Sequence, residues 1–348
     1  MFKVVYICVK QNENKNNFRN RKLEASKLKL EIMKTIKKSR MSKIKLSIIP
    51  LIFLMGILVL SSCNDDDEVM QEPVSNTIAD IATGNPDFSI LVEALSKTNL
   101  VDAVADMNAS LTVFAPTNDA FTALLSDLGA GSLDDIPVET LTNVLLYHVI
   151  GSKAMSADLS SGYLTTLATY GGNNISIYVN VDNGVYINKN TMVTMADIEA
   201  DNGVIHVVDK VILPPSVVNI ALDNDNFTIL VDAVVKAGLV EALSSDGPFT
   251  VFAPTNDAFE ALFAELGVSG VDALTAEQLI PILTYHVVPG NVLSTDLADG
   301  QVGTLNTGKS ITINLSNGVK INDSDVVAAD IQGANGVVHV INKVLIPE

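Results

Sequence analysis

Arginine is absent after Arg40, tryptophan is absent throughout, and the only two cysteines, Cys8 and Cys63, precede residue 64. Each absence excludes something. Without arginine the later chain lacks the side chain best suited to bidentate phosphate contacts, so no nucleic-acid partner is expected. Without cysteine after residue 63 it has neither a disulfide framework nor a thiolate metal site. The lack of tryptophan removes the strongest aromatic platform for a sugar ring. Cations of any kind are scarce there too: the chain up to Ser62 holds 14 of the 22 Lys and Arg and 3 of the 40 acids, leaving a net charge of −29 on the rest. What the chain does have is 48% hydrophobic residues over 348 positions, enough for two domains with proper cores.

Residues 46–60 form an apolar run that follows Lys43 and Lys45 and ends at Ser61-Ser62-Cys63. A basic flank, an apolar stretch too short to span a bilayer comfortably, and small residues before a cysteine describe an export signal. Leu60-Ser61-Ser62-Cys63 resembles the lipobox of bacterial lipoproteins, which implies acylation of Cys63 as the first mature residue. Residues 1–40 are basic and unlike a signal peptide, so translation is expected to start at Met41, with 41–62 as the signal. Residues 63–78 read as a tether, because the acids at 65–68 repel one another and keep it extended. The lipobox implies an outer-membrane lipoprotein of the cell envelope, and the acidic residues behind it imply display at the surface.

The remaining chain is a repeat. Thr112-Val113-Phe114-Ala115-Pro116-Thr117-Asn118-Asp119-Ala120-Phe121 returns from Thr250 to Phe259, at an offset of 138. Tyr147-His148 returns at the same offset as Tyr285-His286, and the segment around His206 returns around His339 at 133. A period this long makes each copy a whole domain, 79–215 and 216–348. Helical spacing from Phe88 onward, a short strand running into Pro116, and a helix capped by Thr117 with Asp119 in its first turn come early in the copy. Thr255 and Asp257 repeat that corner, and Thr275 with Gln278 predicts a capping box. Alternating strands with Asn-Gly turns come late. The expected class is α+β, with helices first and an antiparallel sheet after them.

These phrases, together with Gly-Val-x-His-Val near each end, resemble the hallmark segments and central Tyr-His of fasciclin-like domains. The resemblance covers nearly all of both copies. It implies a wedge-shaped β-sandwich with several helices in each, no enzymatic activity, no cofactor, and adhesion through protein or glycan contacts. The partner is expected to be a surface or matrix protein or a glycan, with the membrane reached through the lipid alone. An accessory glycan-binding lipoprotein is the second reading, and a hydrolase a distant third. The Arg-Gly-Asp tripeptide through which some animal relatives bind integrins cannot occur here, so an integrin partner is not supported.

The four histidines invite chemistry, but their spacing discourages it. His148 and His206 are far apart in the sequence, no His-x-x-x-His pair exists, and no Gly-x-Ser-x-Gly elbow accompanies the serines. His206 and His339 alternate with valines on one strand face, as hydrogen-bonded core groups do. Tyr147, His148, Tyr285 and His286 are read as structural or interaction motifs, with Asp119 and Asp257 as candidate partners that fix the imidazoles. Residues 223–226 alternate acid and amide like a calcium loop but lack its Gly and closing Glu, and are read as an interdomain linker capping the next helix. Tyr163, Tyr170, Tyr178 and Tyr186 are confined to the first domain, where most are read as ordinary sheet residues, and any that are exposed are the candidate platforms for a glycan. Pro281 stands where the first copy has Asn143 and is expected to kink or delay its helix.

Overall fold

Residues 75–348 are described in the computed structural model. Met41, the signal, Cys63 and most of the tether lie outside the described residues. Among those described, no helix is long and apolar enough to cross a membrane.

The first domain opens with α1 (Ile78–Gly84), α2 (Ser89–Thr98) and α3 (Val101–Ala105). Strand β1 (Leu111–Pro116) then turns into α4 (Asn118–Leu128), followed by α5 (Val138–Tyr147). The strands β2 (Val149–Ile150), β3 (Gly162–Tyr170), β4 (Asn173–Asn180), β5 (Tyr186–Ile187), β6 (Thr191–Ala200) and β7 (Gly203–Val208) complete it. Local chemistry sets these limits. The Thr117 hydroxyl accepts from the Ala120 N–H to start α4, and Gly129, at φ 65°, ends it.

The second domain repeats the order. Helices α6 (Val217–Leu222), α7 (Thr228–Lys236) and α8 (Val240–Leu243) lead into β8 (Phe249–Pro254), α9 (Asn256–Leu266) and α10 (Ala276–Tyr285). Then come β9 (Val287–Pro289), β10 (Gly300–Gly303), β11 (Ser310–Asn314), β12 (Lys320–Ile321), β13 (Ser324–Gln332) and β14 (Gly336–Ile341). The α+β class stands. Three finer expectations do not. The residues 223–226 are no interdomain linker: they lie inside the second domain after α6, where the Asn224 side chain accepts from the Asn226 N–H and caps the turn that precedes α7. Pro281 neither delays nor shortens its helix, since α10 runs ten residues as α5 does. The Thr275 N–H donates to Gln278 Oε1 at 2.9 Å and anchors its start, while burial of Leu279 and Leu283 holds it in place.

The third correction concerns the sheet, which is not purely antiparallel. β1 pairs parallel with β7, from Leu111 opposite Gly203 to Pro116 opposite Val208, and β8 pairs parallel with β14 in the same register. The long crossover through the helices and the later strands makes that parallel pairing possible. In the first domain the seven strands close into a barrel, so the two faces expected of a sandwich are continuous. Side chains alternate across β1: Val113 and Ala115 meet the helices, whereas Phe114 enters the barrel with Tyr147, Ile175 and Ile177. The second domain divides its core in the same way, with Phe259 and Leu283 under the helices and Phe252, Tyr285 and Ile313 inside.

Asn202-Gly203 and Asn335-Gly336 do more than turn the chain. A Cβ on Gly203 would sit 2.1 Å from the Leu111 carbonyl oxygen, and one on Gly336 would meet that of Phe249 at 2.1 Å. Buried Asn202 accepts from the Ile78 N–H at 2.9 Å and donates to the Val104 carbonyl at 2.9 Å, pinning α1 and α3 to the closing strand. Asn335 does the same for Val217 and Leu243 at 2.8 and 3.0 Å.

Candidate functional site

His148 is the C-cap of α5 and Tyr147 its last residue, so one side chain points toward the later chain and the other into the barrel. The Ile212 N–H donates to His148 Nε2 at 2.9 Å, which leaves Nδ1 to donate to the Val144 carbonyl at 2.7 Å. Both ring nitrogens are therefore spent on backbone, and the tautomer is fixed. Burial pushes the His148 pKa down to about 4, so the ring is neutral at physiological pH. His286 copies this with the Leu345 N–H at 2.8 Å and the Ile282 carbonyl at 2.8 Å, and its pKa also falls to about 4. Tyr147 donates to the Ser176 carbonyl and accepts from Asn188, both at 2.9 Å; Tyr285 uses Ser310 and Asn322 at 2.8 and 3.1 Å. Asp119 and Asp257 take no part. They stay in the first turns of α4 and α9, where the helix N-terminus suits a carboxylate, and the expected acid–imidazole pairing is replaced by backbone groups that burial would otherwise orphan.

The strand histidines are bonded differently. His206 Nδ1 accepts from the Asp197 N–H at 3.2 Å and Nε2 donates to the Ala154 carbonyl at 3.0 Å. The carboxylate of Asp197, whose backbone sits at φ 62°, accepts from the Ser156 N–H at 2.7 Å and the Ser156 hydroxyl at 2.5 Å. Ser294, Asp330 and His339 repeat the arrangement, with the Asp330 N–H donating to His339 Nδ1 at 3.3 Å. These are the residue types of a nucleophilic triad in the wrong order. The Ser156 hydroxyl bonds to the acid and not to the imidazole, so the histidine is not placed to take its proton. Sequence reasoning passed over Asp197 and Asp330; the signal was their common offset of 133 with the histidines.

The tyrosine asymmetry is resolved at the contact between the two domains. Tyr163 packs its ring against Tyr178 in a tilted arrangement with centroids 4.9 Å apart, donates to the Ile220 carbonyl at 3.4 Å and accepts from Asn224 at 3.3 Å. Tyr170 donates to the Asp246 carbonyl at 3.2 Å, the Gln332 N–H donates to the Ser176 hydroxyl at 3.1 Å, and Lys189 pairs with Asp225 at 2.5 Å. Tyr163 also packs against the second domain's core. Two of the four candidate sugar platforms are thus bound within the chain.

The profile of the Fasciclin domain matches residues 86–214 and 225–347. The chain belongs to the fasciclin family. Its relatives include Protein sll1483 of Synechocystis sp., 47% identical over 38% of this chain and 73% of that protein. Human periostin is 33% identical over 69% of this chain, and pig transforming growth factor-beta-induced protein ig-h3 30% identical over 69%. The chain spans only 28% and 35% of the lengths of those two proteins. Among solved structures, a FAS1 domain pair from the insect cell adhesion molecule fasciclin I aligns over 74% of this chain and 95% of that one, at 17% identity and a TM-score of 0.45. Fasciclin domains are modules of cell adhesion and extracellular interaction, not enzymes.

Proposed function

We propose that this protein is a lipid-anchored adhesion module, in which Cys63 carries the lipid and the acidic tether presents two fasciclin domains outside the cell envelope to a surface or matrix protein. The observation that carries the reading is the joining of a lipobox and acidic tether to two copies of an adhesion domain. Both Tyr-His pairs are internally saturated, so the partner meets loops and strand faces. A protein partner is favoured over a glycan because Tyr163 and Tyr170 are spent on the second domain.

The test has two arms. Cys63→Ala should release the protein from the membrane fraction or leave an uncleaved precursor; unchanged mature size and membrane retention would refute the anchor. A soluble fragment from Asn64 onward should capture a protein from the organism's own envelope extract or from host matrix. Capture of purified glycans alone, lost on changing Tyr178 and Tyr186, would transfer the reading to the glycan-binding alternative.

A further inference from the structure

A half-buried carboxylate at the seam between the domains has no hydrogen-bond donor. Asp223 is the C-cap of α6, where the helix's free carbonyls already concentrate negative charge and disfavour an anion. Its neighbours are all engaged: Asn224 donates to Tyr163, and Asp225 pairs with Lys189. From the first domain the Tyr163 hydroxyl bonds on both sides of Asp223, donating to the Ile220 carbonyl at 3.4 Å and accepting from Asn224 at 3.3 Å, which places this acid beside the barrel wall. Tyr178 is near the same spot, but the charges it senses are Asp182, Asp225 and Lys189. Lys189 is the one cation among the described residues that acts on Asp223, and it is already committed to Asp225. The charges on the helices packed around α6, which are Asp232, Lys236 and Glu241, do not act on it.

We propose that Asp223 is a proton-responsive latch at this seam, holding the two fasciclin domains together in acid and loosening their contact as the pH rises. Burial outweighs the pull of Lys189 and pushes the Asp223 pKa up to about 7 in the docked pair. Once the domains part, the carboxyl returns to water and to the ordinary aspartate value near 4. The docked state therefore binds the proton more tightly than the parted one. By linkage, docking is strongest below pH ~4, weakens ~10-fold per pH unit up to ~7, and is flat above. Tyr147 and Tyr163 are shifted upward by burial and stay neutral across this range, so they supply no competing titration.

The experiment compares amide hydrogen exchange in the full chain, held in detergent micelles, with that of Asp223→Asn at matched pH, so that intrinsic exchange rates cancel. The Gln332 amide and segments 163–178 and 217–224 are the reporters. The ratio of wild-type to variant exchange at these sites should rise ~100-fold between pH 5 and pH 8, because the substituted amide cannot ionise. A variant that tracks the wild type from pH 5 to 8 overturns the latch. Should Asp223→Asn misfold, carbon-detected titration of the wild-type Asp223 carboxyl decides: a midpoint near 7 supports the proposal, and one near 4 overturns it.

Discussion

The two fasciclin domains share the threonine caps of α4 and α9, their buried imidazoles and the close glycine contacts of their closing strands, yet only the first closes its barrel. The difference traces to one hairpin. Gly162 and Gly300 keep the common offset of 138, whereas Ser176 and Ser310, each accepting from its tyrosine, are offset by 134, so the second hairpin is four positions shorter. In the first domain β3 is long enough to reach β2, with Thr166 opposite Ile150. In the second, β10 has four residues and stops short, and the Leu305 N–H instead donates to the Val287 carbonyl at 2.8 Å. Tyr170 lies in the extra length of β3, whereas Tyr163 lies in the part that β10 shares, where Gln301 takes its place; both tyrosines grip the second domain. Buried polar contacts are thus kept in both copies, because breaking them orphans groups in low dielectric, while the hairpin was free to become an interdomain device in one copy only.

The sharpest test of the shared part is Gly203→Ala against Gly336→Ala. Each added methyl meets a backbone oxygen that cannot move without breaking the parallel pairing, so each should cost its own domain roughly 3 kcal/mol or more in thermal unfolding. A mild effect in one domain alone would show that its closing strand is not held as its twin is.

Next come the imidazoles. His148→Ala and His286→Ala each leave a buried N–H and carbonyl unpaired, and should cost about 2–3 kcal/mol, equally in the two domains. Their pH response has a definite sign. Folded His148 and His286 hold their protons less well than the unfolded chain does, so their contribution to stability is complete above pH ~6.5 and is lost as pH falls toward ~4. The loss is about 3 kcal/mol per ring at most. Urea unfolding at pH 7 and pH 4.5 checks it, and Asp223 should move the seam the opposite way over the same range.

Tyr163→Ala probes the difference between the copies. It removes packing from the second domain's core and two hydrogen bonds, and should weaken interdomain coupling by about 1–2 kcal/mol. Calorimetry should then resolve two transitions where the wild type shows greater overlap. Fragments ending near Pro214 and beginning near Val217 extend the test: both should unfold cooperatively, the second with the lower midpoint because it loses the Tyr163 contact. A molten second fragment would mean that the two cores are one.

The smallest expected effect is Pro281→Ala, which restores a helical N–H in α10. It should stabilise the second domain by about 1 kcal/mol, less than the full cost of a helical proline because α10 already runs unbroken.

The helix caps at Thr117 and Thr255, the Asn-Gly turns, the repeat and the family were legible because they depend on residues a few positions apart or on identical phrases. The α+β class followed from the switch between helical and alternating periodicity. The parallel placement of β1 beside β7 was not legible, since nothing local in a six-residue strand encodes a neighbour so distant along the chain. The partners of His148 were missed for a related reason. A carboxylate advertises itself in a sequence, but any residue supplies a carbonyl or an N–H, and only packing decides that Val144 and Ile212 are the ones within reach. Tyr163 shows the same limit: its type fits a sugar platform or a domain contact equally well. Sequence by itself determined where helices start, where the chain turns, which residues are buried and that there are two copies, because those outcomes are set by local backbone chemistry and side-chain hydrophobicity. Tertiary structure alone decided which polar groups meet, because in a buried interior the cost of leaving any one of them unpaired is settled by distance in space and not by distance along the chain.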